Sequence, residues 1–277
     1  MSPFEYYRGL YMTQEIRKYL TNAVLDRPDL ELAFVWNRTS SLIEEVIESR
    51  YICHDLEECG QFNPDLIVEV AHPAISEKYG QHFLQVADYL VGSPTALASQ
   101  HVEDALRKAA TSHGLYIPAG AFWGGEDISK MADRGTLKAL KVTMKKHPSC
   151  FKLEGTLKAK NENIQGSEAV VLYDGPVRDL CPLAPNNVNT MAAAAMAAHN
   201  LGFNGVKGCL ISDPKLTDWH VVEVDVTGPE VAGKDFNVKT VRNNPAAPGA
   251  VTGTATYASF LSSMVRAGGK GPGVHLC

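Results

Sequence analysis

His220 is the residue whose type and position most clearly offer chemistry. It stands near the start of the alternating stretch LTDWHVVEVDV (216–226), just after the polar pair Thr217 and Asp218. Alternation of polar and apolar residues is typical of a strand, so the imidazole lies at a strand entrance. Because histidine titrates near neutral pH, it suits general acid or base catalysis. The alternative is a structural histidine at a strand end.

Four further polar residues could bind an anionic substrate. Thr252 and Thr254 follow the stretch NNPAAPGAV and precede the last helical pattern. At that position they could donate to a carboxylate beside a helix N-terminus. His147 and Lys152 are candidates for a second carboxylate, and the sequence does not single out either of them.

The first half of the chain alternates short apolar runs with helical patterns. The predicted strands are ELAFVWN (31–37), DLIVEVA (65–71), YLVGS (89–93) and LYIPAGA (115–121), with helices between them at 76–89 and 96–114. Apolar strands that alternate with helices indicate a parallel sheet covered on both faces. The predicted fold is therefore α/β, with a doubly wound sheet of the Rossmann, nucleotide-binding type. Ligands of such sheets bind at the carboxyl ends of the strands.

The residues at those carboxyl ends are candidates for a cofactor site. Ala71, His72 and Ser93 follow two of the predicted strands, and Ala121 closes the last. Arg38 follows the run 31–37, where NAD-preferring enzymes place an acidic residue for the ribose hydroxyls. An arginine there admits the 2′-phosphate of NADP, and the alternative is a solvated loop arginine.

Strands dominate the second half of the chain. One clear helix, NTMAAAAMAAHNLG (189–202), interrupts them. The predicted strands lie in LKALKVTMKKHP, EAVVLYDGPVRDLC, GVKGCLISDP, WHVVEVDVTGP and KDFNVKTVRNNP. This pattern indicates an α+β domain with a largely antiparallel sheet. We predict a dinucleotide-binding domain at 1–121, joined by a C-terminal helix at 253–277, and an α+β domain at 122–252.

Composition excludes several classes of protein. The formal net charge of -5 offers no basic surface for nucleic acid. No stretch reaches the roughly 18 consecutive apolar residues of a membrane helix, and the N-terminal segment has no apolar signal-peptide core. The six cysteines are scattered, which is typical of reduced thiols and predicts a cytoplasmic protein. His54, Cys53 and Cys59 lack a second ligand pair, so we predict no metal site.

Six motifs in order carry a resemblance to a known family. They are VEVAHP, GAFWGGEDI, KLEG, APNNVNTMAAAAMAA, DPKLTDWHVVEV and NNPAAPGAVTGTAT. From about residue 30 onward the chain resembles the L-aspartate dehydrogenase family, especially its animal branch, the aspartate dehydrogenase domain-containing proteins. The resemblance implies a Rossmann domain plus an α+β domain that carries the substrate site and forms a homodimer. It also implies NAD(P)-dependent oxidative deamination of L-aspartate to an imine and then oxaloacetate and ammonia, or the reverse.

The resemblance assigns roles to three residues. The catalytic histidine of the family falls on His220, and its cofactor-contacting alanine and asparagine fall on Ala121 and Asn189. A small side chain at Ala121 would let a nicotinamide ring approach the backbone, whereas the alternative is tight packing. Asn189 precedes an alanine-rich helix, so the alternative for it is a plain N-cap.

The opening segment departs from the family pattern. A dinucleotide-binding domain begins with a strand and then G-x-G-x-x-G, whose glycines let the pyrophosphate approach a helix N-terminus. Residues 1–24 keep the helix in TQEIRKYLTNAV, but only Gly9 remains of the glycines. Either this first segment is an alternative one, or the chain is a non-catalytic dimeric relative that has lost cofactor binding. A dehydrogenase of the same fold for another amino or oxo acid is a third reading.

Overall fold

The computed structural model describes residues 12–253 and 255–277, which form two sheets surrounded by helices. The helices are α1 (Met12–Leu25), α2 (Ser41–Glu44), α3 (Pro73–Val86), α4 (Gln100–Ala109), α5 (Gly125–Asp133), α6 (Gly155–Glu162), α7 (Val177–Leu180), α8 (Asn189–Ala197), α9 (Gly202–Gly205) and α10 (Ala255–Arg266). The strands are β1 (Leu66–Glu69), β2 (Asp88–Val91), β3 (Gly114–Ile117), β4 (Ala139–Lys146), β5 (Val170–Pro176), β6 (Lys207–Ser212), β7 (Trp219–Val231), β8 (Lys234–Pro245) and β9 (Gly273–Leu276).

The first sheet is parallel and has the order β1-β2-β3-β9. Its strands are apolar because helices cover both faces. On one face Leu90 and Tyr116 pack with Leu20 of α1 and with Phe260 and Met264 of α10. Helices α3 and α4 cover the other face. The predicted Rossmann-like sheet is confirmed, and the last long helix packs back onto it as expected.

The predicted strand at 31–37 is wrong. In this segment only Val35 makes a bridge, to Ile52, and the rest is irregular. A cavity of about 540 Å³ lies between residues 29–36 and the segment 63–71, which contains β1. In the described part of the chain no strand pairs with this edge of β1. The cavity separates residues 31–37 from the unpaired edge of β1, so they have no adjacent strand to pair with. Apolar composition alone does not stabilise a strand.

The C-terminal segment is a helix followed by a strand, where 253–277 was predicted as a helix. The glycine-rich sequence AGGKGPG ends α10, and β9 then pairs in parallel with β3, from Gly114 opposite Gly273 to Ile117 opposite Leu276. A four-residue strand without long alternation gives little pattern to detect. The segment LIEEVIESR (42–50) has apolar residues at helical spacing, but the structure has only the single α-helical turn of α2 at its start.

The second sheet has the order β5-β6-β4-β7-β8. All of its pairings are antiparallel except β4 with β6. Even-numbered residues of β4 and β7 point to the core, as their alternating burial shows. Helix α8, whose Thr190–Ala197 side chains are all buried, lies on that inner face. Its close approach requires Gly208, where a Cβ would lie 2.8 Å from Met191 Sδ.

We expect Gly92→Ala to be strongly destabilising. Gly92 follows β2, and a Cβ there would lie 1.9 Å from the carbonyl oxygen of Glu69. Such overpacking against backbone should lower the free energy of unfolding by about 3 kcal/mol. Urea unfolding measures the change, with Gly135→Ala as the control. Gly135 has φ +66° and open space around it, so alanine there should cost only the left-handed strain of about 1 kcal/mol. Equal losses at the two sites would contradict the close contact.

Candidate active site

The buried carboxylate of Glu69 gathers the loops at the carboxyl edge of the first sheet. Its Oε1 accepts the backbone N–H groups of Ala71 at 2.5 Å and His72 at 2.8 Å, and the Ser93 hydroxyl at 3.2 Å. Its Oε2 accepts the Ser93 N–H at 2.8 Å. Three residues predicted for the cofactor side therefore surround one carboxylate. Burial raises the pKa of Glu69, and the bonds from Ala71, Ser93 and His72 oppose that shift.

Sequence reasoning did not single out Glu69. The available signal was a lone carboxylate inside the apolar strand DLIVEVA, because such a group is buried only when it is hydrogen-bonded. Two of the residues predicted for the cofactor, His72 and Arg38, have surroundings of their own. His72 caps α3 through Nδ1, which accepts the N–H of Ala74 at 3.2 Å. Arg38 is exposed in a bend before α2.

The turn after β3 joins the two sheets. Ala121 is buried there, and the preceding Gly120 adopts φ +59°. The Gly120 carbonyl accepts hydrogen bonds from Arg242 Nη1 at 3.2 Å and from the Ser259 hydroxyl at 2.9 Å. Arg242 belongs to β8 and Ser259 to α10. The predicted cofactor residue Ala121 is therefore next to a residue that holds the end of the second sheet.

His220 lies on the inner face of the second sheet, at the start of β7. It is 4% exposed, and its Nε2 has no hydrogen-bond partner among the described residues. The backbone of Ala250 bonds the ring, and because Nε2 is unpaired, that bond falls on Nδ1. Burial, and then the charge of Lys146, lowers the pKa of His220 to about 4, against a smaller raising effect of the Ala250 bond. The imidazole is therefore neutral at physiological pH.

Four buried polar side chains form one row across the second sheet. Lys146 pairs with Ser212, and His220 pairs with Asn244. Since Lys145 is opposite Val221, Lys146 is opposite His220 on the neighbouring strand. Directly opposed side chains on one face lie close together. The order of the row is thus Ser212, Lys146, His220, Asn244, and all four are buried.

Sequence reasoning also passed over Lys146, the buried cation of this row. Its Nζ donates to the Val251 carbonyl at 2.9 Å and lies 5.9 Å from the centre of the Phe151 ring. Burial lowers its pKa to about 8, with a smaller opposing effect of Cys150. The detectable signal was the alternation in ALKVTMKK, which turns positions 140, 142, 144 and 146 inward together.

The predicted substrate residues lie at different distances from this row. Thr252 is half-buried, and its neighbours reach the row: Val251 accepts from Lys146, and a Cβ on Gly253 would lie 3.9 Å from His220 Nδ1. Thr254 lies outside the described residues. The roles of Thr252 and Thr254 remain predictions.

The two other substrate candidates have local contacts. His147 Nδ1 accepts the N–H of Ser149 at 3.2 Å and lies 2.8 Å from its hydroxyl oxygen, so His147 caps a short turn. Lys152 is exposed, and its N–H donates to Asn187 Oδ1 at 2.8 Å. Neither contact brings the side chain into the row of His220, and their substrate roles stay predictions.

Asn189 is the first residue of α8 and does not cap it, so the N-cap alternative does not hold. Its Oδ1 is buried without a hydrogen-bond partner in the described part of the chain. The loop before it is tied to the first sheet, because the Thr95 hydroxyl donates to the Pro185 carbonyl at 3.0 Å. Asn189 therefore offers a free acceptor near the junction of the two sheets.

No cluster of three His, Cys, Asp or Glu residues within 12–253 and 255–277 is arranged to hold a metal ion. Cys53 and Cys59 are buried free thiols, and burial raises the pKa of each.

Comparison with known proteins identifies the family. A family model described as "Aspartate dehydrogenase, C-terminal" matches residues 127–263, and one described as "Homoserine dehydrogenase, NAD binding domain" matches 15–118. An aspartate dehydrogenase domain-containing protein of Xenopus tropicalis is 55% identical over 269 residues, 95% of this chain and 94% of the relative. The chain belongs to the aspartate dehydrogenase family. Its NAD-binding domain supports an NAD(P)-dependent oxidoreductase that uses a nicotinamide cofactor.

More distant members of the aspartate dehydrogenase family agree. An L-aspartate dehydrogenase of Pseudomonas aeruginosa is 32% identical over 205 residues, 73% of each chain. The crystal structure of aspartate dehydrogenase from Thermotoga maritima superimposes with a TM-score of 0.64 at 18% identity, over 89% of this chain and 90% of that one. The fold is therefore shared across the family.

We expect stability to fall as the pH is lowered from about 6.5 to about 4. The folded protein holds the pKa of His220 at about 4, whereas the ordinary value is 6.5, so the unfolded chain binds more protons in this window. The full effect is about 3 kcal/mol. Urea unfolding at pH 7 and pH 4.5 should show a larger loss for the wild type than for His220→Gln. Equal losses would mean that the imidazole is not held neutral.

Proposed function

We propose that this chain is an NAD(P)-dependent dehydrogenase that converts L-aspartate to oxaloacetate through iminoaspartate, or catalyses the reverse. One observation carries the proposal. His220 is buried and neutral, its Nε2 is free among the described residues, and a cation lies opposite. Arg242, diagonally across on β8, hydrogen-bonds Gly120, the residue before Ala121. The relatives named as L-aspartate dehydrogenases support the choice of substrate.

The residues present fit a nicotinamide cofactor. The buried, unpaired Oδ1 of Asn189 is an acceptor for the N–H groups of a carboxamide. Ala121 offers a small side chain at the edge of the sheet, and the loops held by Glu69 present Ala71, His72 and Ser93. When bound, the cofactor would accept a hydride from the substrate Cα. Either NAD or NADP is proposed, and the exposed Arg38 would serve a 2′-phosphate.

His220 acts on the imine that follows hydride loss. Because the imidazole is neutral, Nε2 can take a proton from the water that adds to the imine carbon. Nε2 then gives this proton to the nitrogen of the carbinolamine. As the C–N bond breaks and ammonia leaves, the carbinolamine hydroxyl returns a proton to Nε2 and the carbonyl of oxaloacetate forms. The Nδ1 bond to the Ala250 backbone fixes the ring for both transfers. An anionic substrate group beside Lys146 would offset its charge and raise the pKa of His220 toward neutrality.

His220→Ala should reduce aspartate-dependent turnover about a hundredfold or more, the scale of general acid–base catalysis. Cofactor affinity should stay nearly unchanged, because the ring serves proton transfer. Turnover is measured by NADH or NADPH absorbance, and affinity by fluorescence titration. His199→Ala is the matched control, since His199 is half-exposed beside Asp133. If the wild type is active and His220→Ala keeps near-normal turnover, His220 is structural and its catalytic role is wrong.

A second candidate function is a non-catalytic relative, favoured by the edge of β1, with which no strand of the described residues pairs. The cavity of about 540 Å³ along that edge has the position of a further strand, which would lead into a glycine loop. The segment that would supply both is 1–24, in which Gly9 alone remains of the three glycines of the motif. Without that loop the pyrophosphate loses its backbone donors and the helix dipole.

On this second candidate, the chain as written should bind NADH and NADPH weakly or not at all. Replacing residues 1–12 with a strand and a G-x-G-x-x-G loop before TQEIRKYL should restore binding and aspartate-dependent reduction. Isothermal titration compares the two proteins. A graft in which the glycines are alanines is the control, because it keeps the added strand and lacks the glycines that allow a close backbone approach. Micromolar binding by the unchanged chain would argue against the non-catalytic candidate.

A homodimer in the cytoplasm is part of the same proposal. The outer face of the second sheet exposes Val171, Trp219 and Val241, apolar residues that a second copy would cover. All six cysteines are free thiols, which suits a reducing compartment. Among the described residues, no helix has both the length and the apolar character needed to cross a membrane.

A further inference from the structure

Two cations flank His220 on the inner face of the second sheet. Lys146 is directly opposite it on β4. Arg242 is opposite Val222 on β8, two residues from His220 along the strand, so it lies diagonally across from His220. No carboxylate in the described part of the chain forms an ion pair with either cation. By contrast, Lys145 and Lys239 on the outer face both pair with Glu223.

Holding these charges without a counter-ion is costly. Lys146 is 4% exposed, and its hydrogen bond goes to the neutral carbonyl of Val251. Arg242 is half-buried, its hydrogen bond goes to the carbonyl of Gly120, and burial lowers the pKa of each group. A buried ammonium without an anion costs stability, and replacing it with an apolar side chain is often neutral or favourable. An anionic ligand would supply the missing charge.

The two anchoring carbonyls place the cations at either side of the reacting centre. Val251 holds Lys146 beside the row of His220, and Gly120 holds Arg242 beside Ala121. The bond to Gly120 uses one guanidinium nitrogen, and a guanidinium has five N–H donors arranged to bind a carboxylate. His220 belongs to β7, the strand between β4 and β8, and its Nε2 has no hydrogen-bond partner among the described residues.

We propose that Lys146 and Arg242 bind the two carboxylates of a dicarboxylic amino or oxo acid and so determine specificity. Lys146 takes the carboxylate on the reacting carbon, because it is directly opposite His220. Arg242 takes the distal carboxylate, because it lies diagonally across from His220. A monocarboxylic acid would leave Arg242 uncompensated, which disfavours it. This inference rests on the proposed function for the reacting carbon, but the binding of a dicarboxylate does not require turnover.

The test uses Lys146→Met and Arg242→Met in the full chain, with Lys145→Met and Lys239→Met as controls on the outer face of the same strands. Succinate and propionate are titrated by calorimetry, with and without NADH, and thermal unfolding is followed in parallel. The wild type should bind succinate at least tenfold tighter than propionate. Lys146→Met should weaken succinate binding at least about thirtyfold, the scale for losing one partner of a buried charge pair. Arg242→Met should bring succinate down to the level of propionate.

Folding is controlled within the same experiment. Without ligand, Lys146→Met should unfold at the same or a higher temperature than the wild type, because a buried charge has been removed. The stabilisation that succinate gives the wild type should be absent in this variant. The two control variants should bind succinate as the wild type does.

Three results would overturn the inference. They are equal affinity for succinate and propionate in the wild type, unchanged succinate binding in Lys146→Met, and equal weakening in the control variants. Failure of the proposed function is distinguishable, because selective succinate binding without any aspartate turnover would leave the two cations assigned. Aspartate turnover that is unaffected by Lys146→Met would reject this inference alone.

Discussion

The carboxyl edge of the first sheet depends on a single buried carboxylate. A sheet that ends in loops must satisfy their backbone N–H groups without filling the space that a ligand needs. Glu69 does this for two loops at once, because it accepts from Ala71, His72 and Ser93. Glycine at position 92 lets the second loop pass close to the Glu69 backbone. The edge is thereby preorganised, and a ligand would not have to order it.

In the second sheet, by contrast, buried polar side chains are left without hydrogen-bond or charge partners among the described residues. Its inner face is apolar along most of its length, and the polar residues Lys146, His220 and Asn244 lie in one row at its end. Each is buried at a cost in desolvation, and each leaves hydrogen-bonding or charge capacity unused within the described residues. Structural polar groups in cores are normally satisfied. Under the proposed function, the groups of this row are the ones that a bound substrate would satisfy.

The sequence allowed much of this fold to be predicted, because long alternation is a strong signal. The strands β4 and β8 and helix α8 lie within the predicted stretches, and β7 extends its stretch by two residues, to Val231. The segment 31–37 failed because a strand depends on its neighbour, and β9 was missed because it is only four residues long. The candidate site was reached in part. His220 was found from its position, whereas Lys146 was passed over for its neighbour His147, although the alternation along 139–146 turns Lys146 inward.

The place of β9 has a consequence for how the chain is made. Gly114 and Gly273 are neighbours in the first sheet, yet the whole second sheet separates them along the chain. A ribosome produces the chain from its N-terminus, so β1, β2 and β3 emerge with one side of β3 open. An open strand edge is a template for pairing with another chain. The nascent protein must therefore carry that exposed edge through the synthesis of the second sheet, until Leu276 has left the exit tunnel.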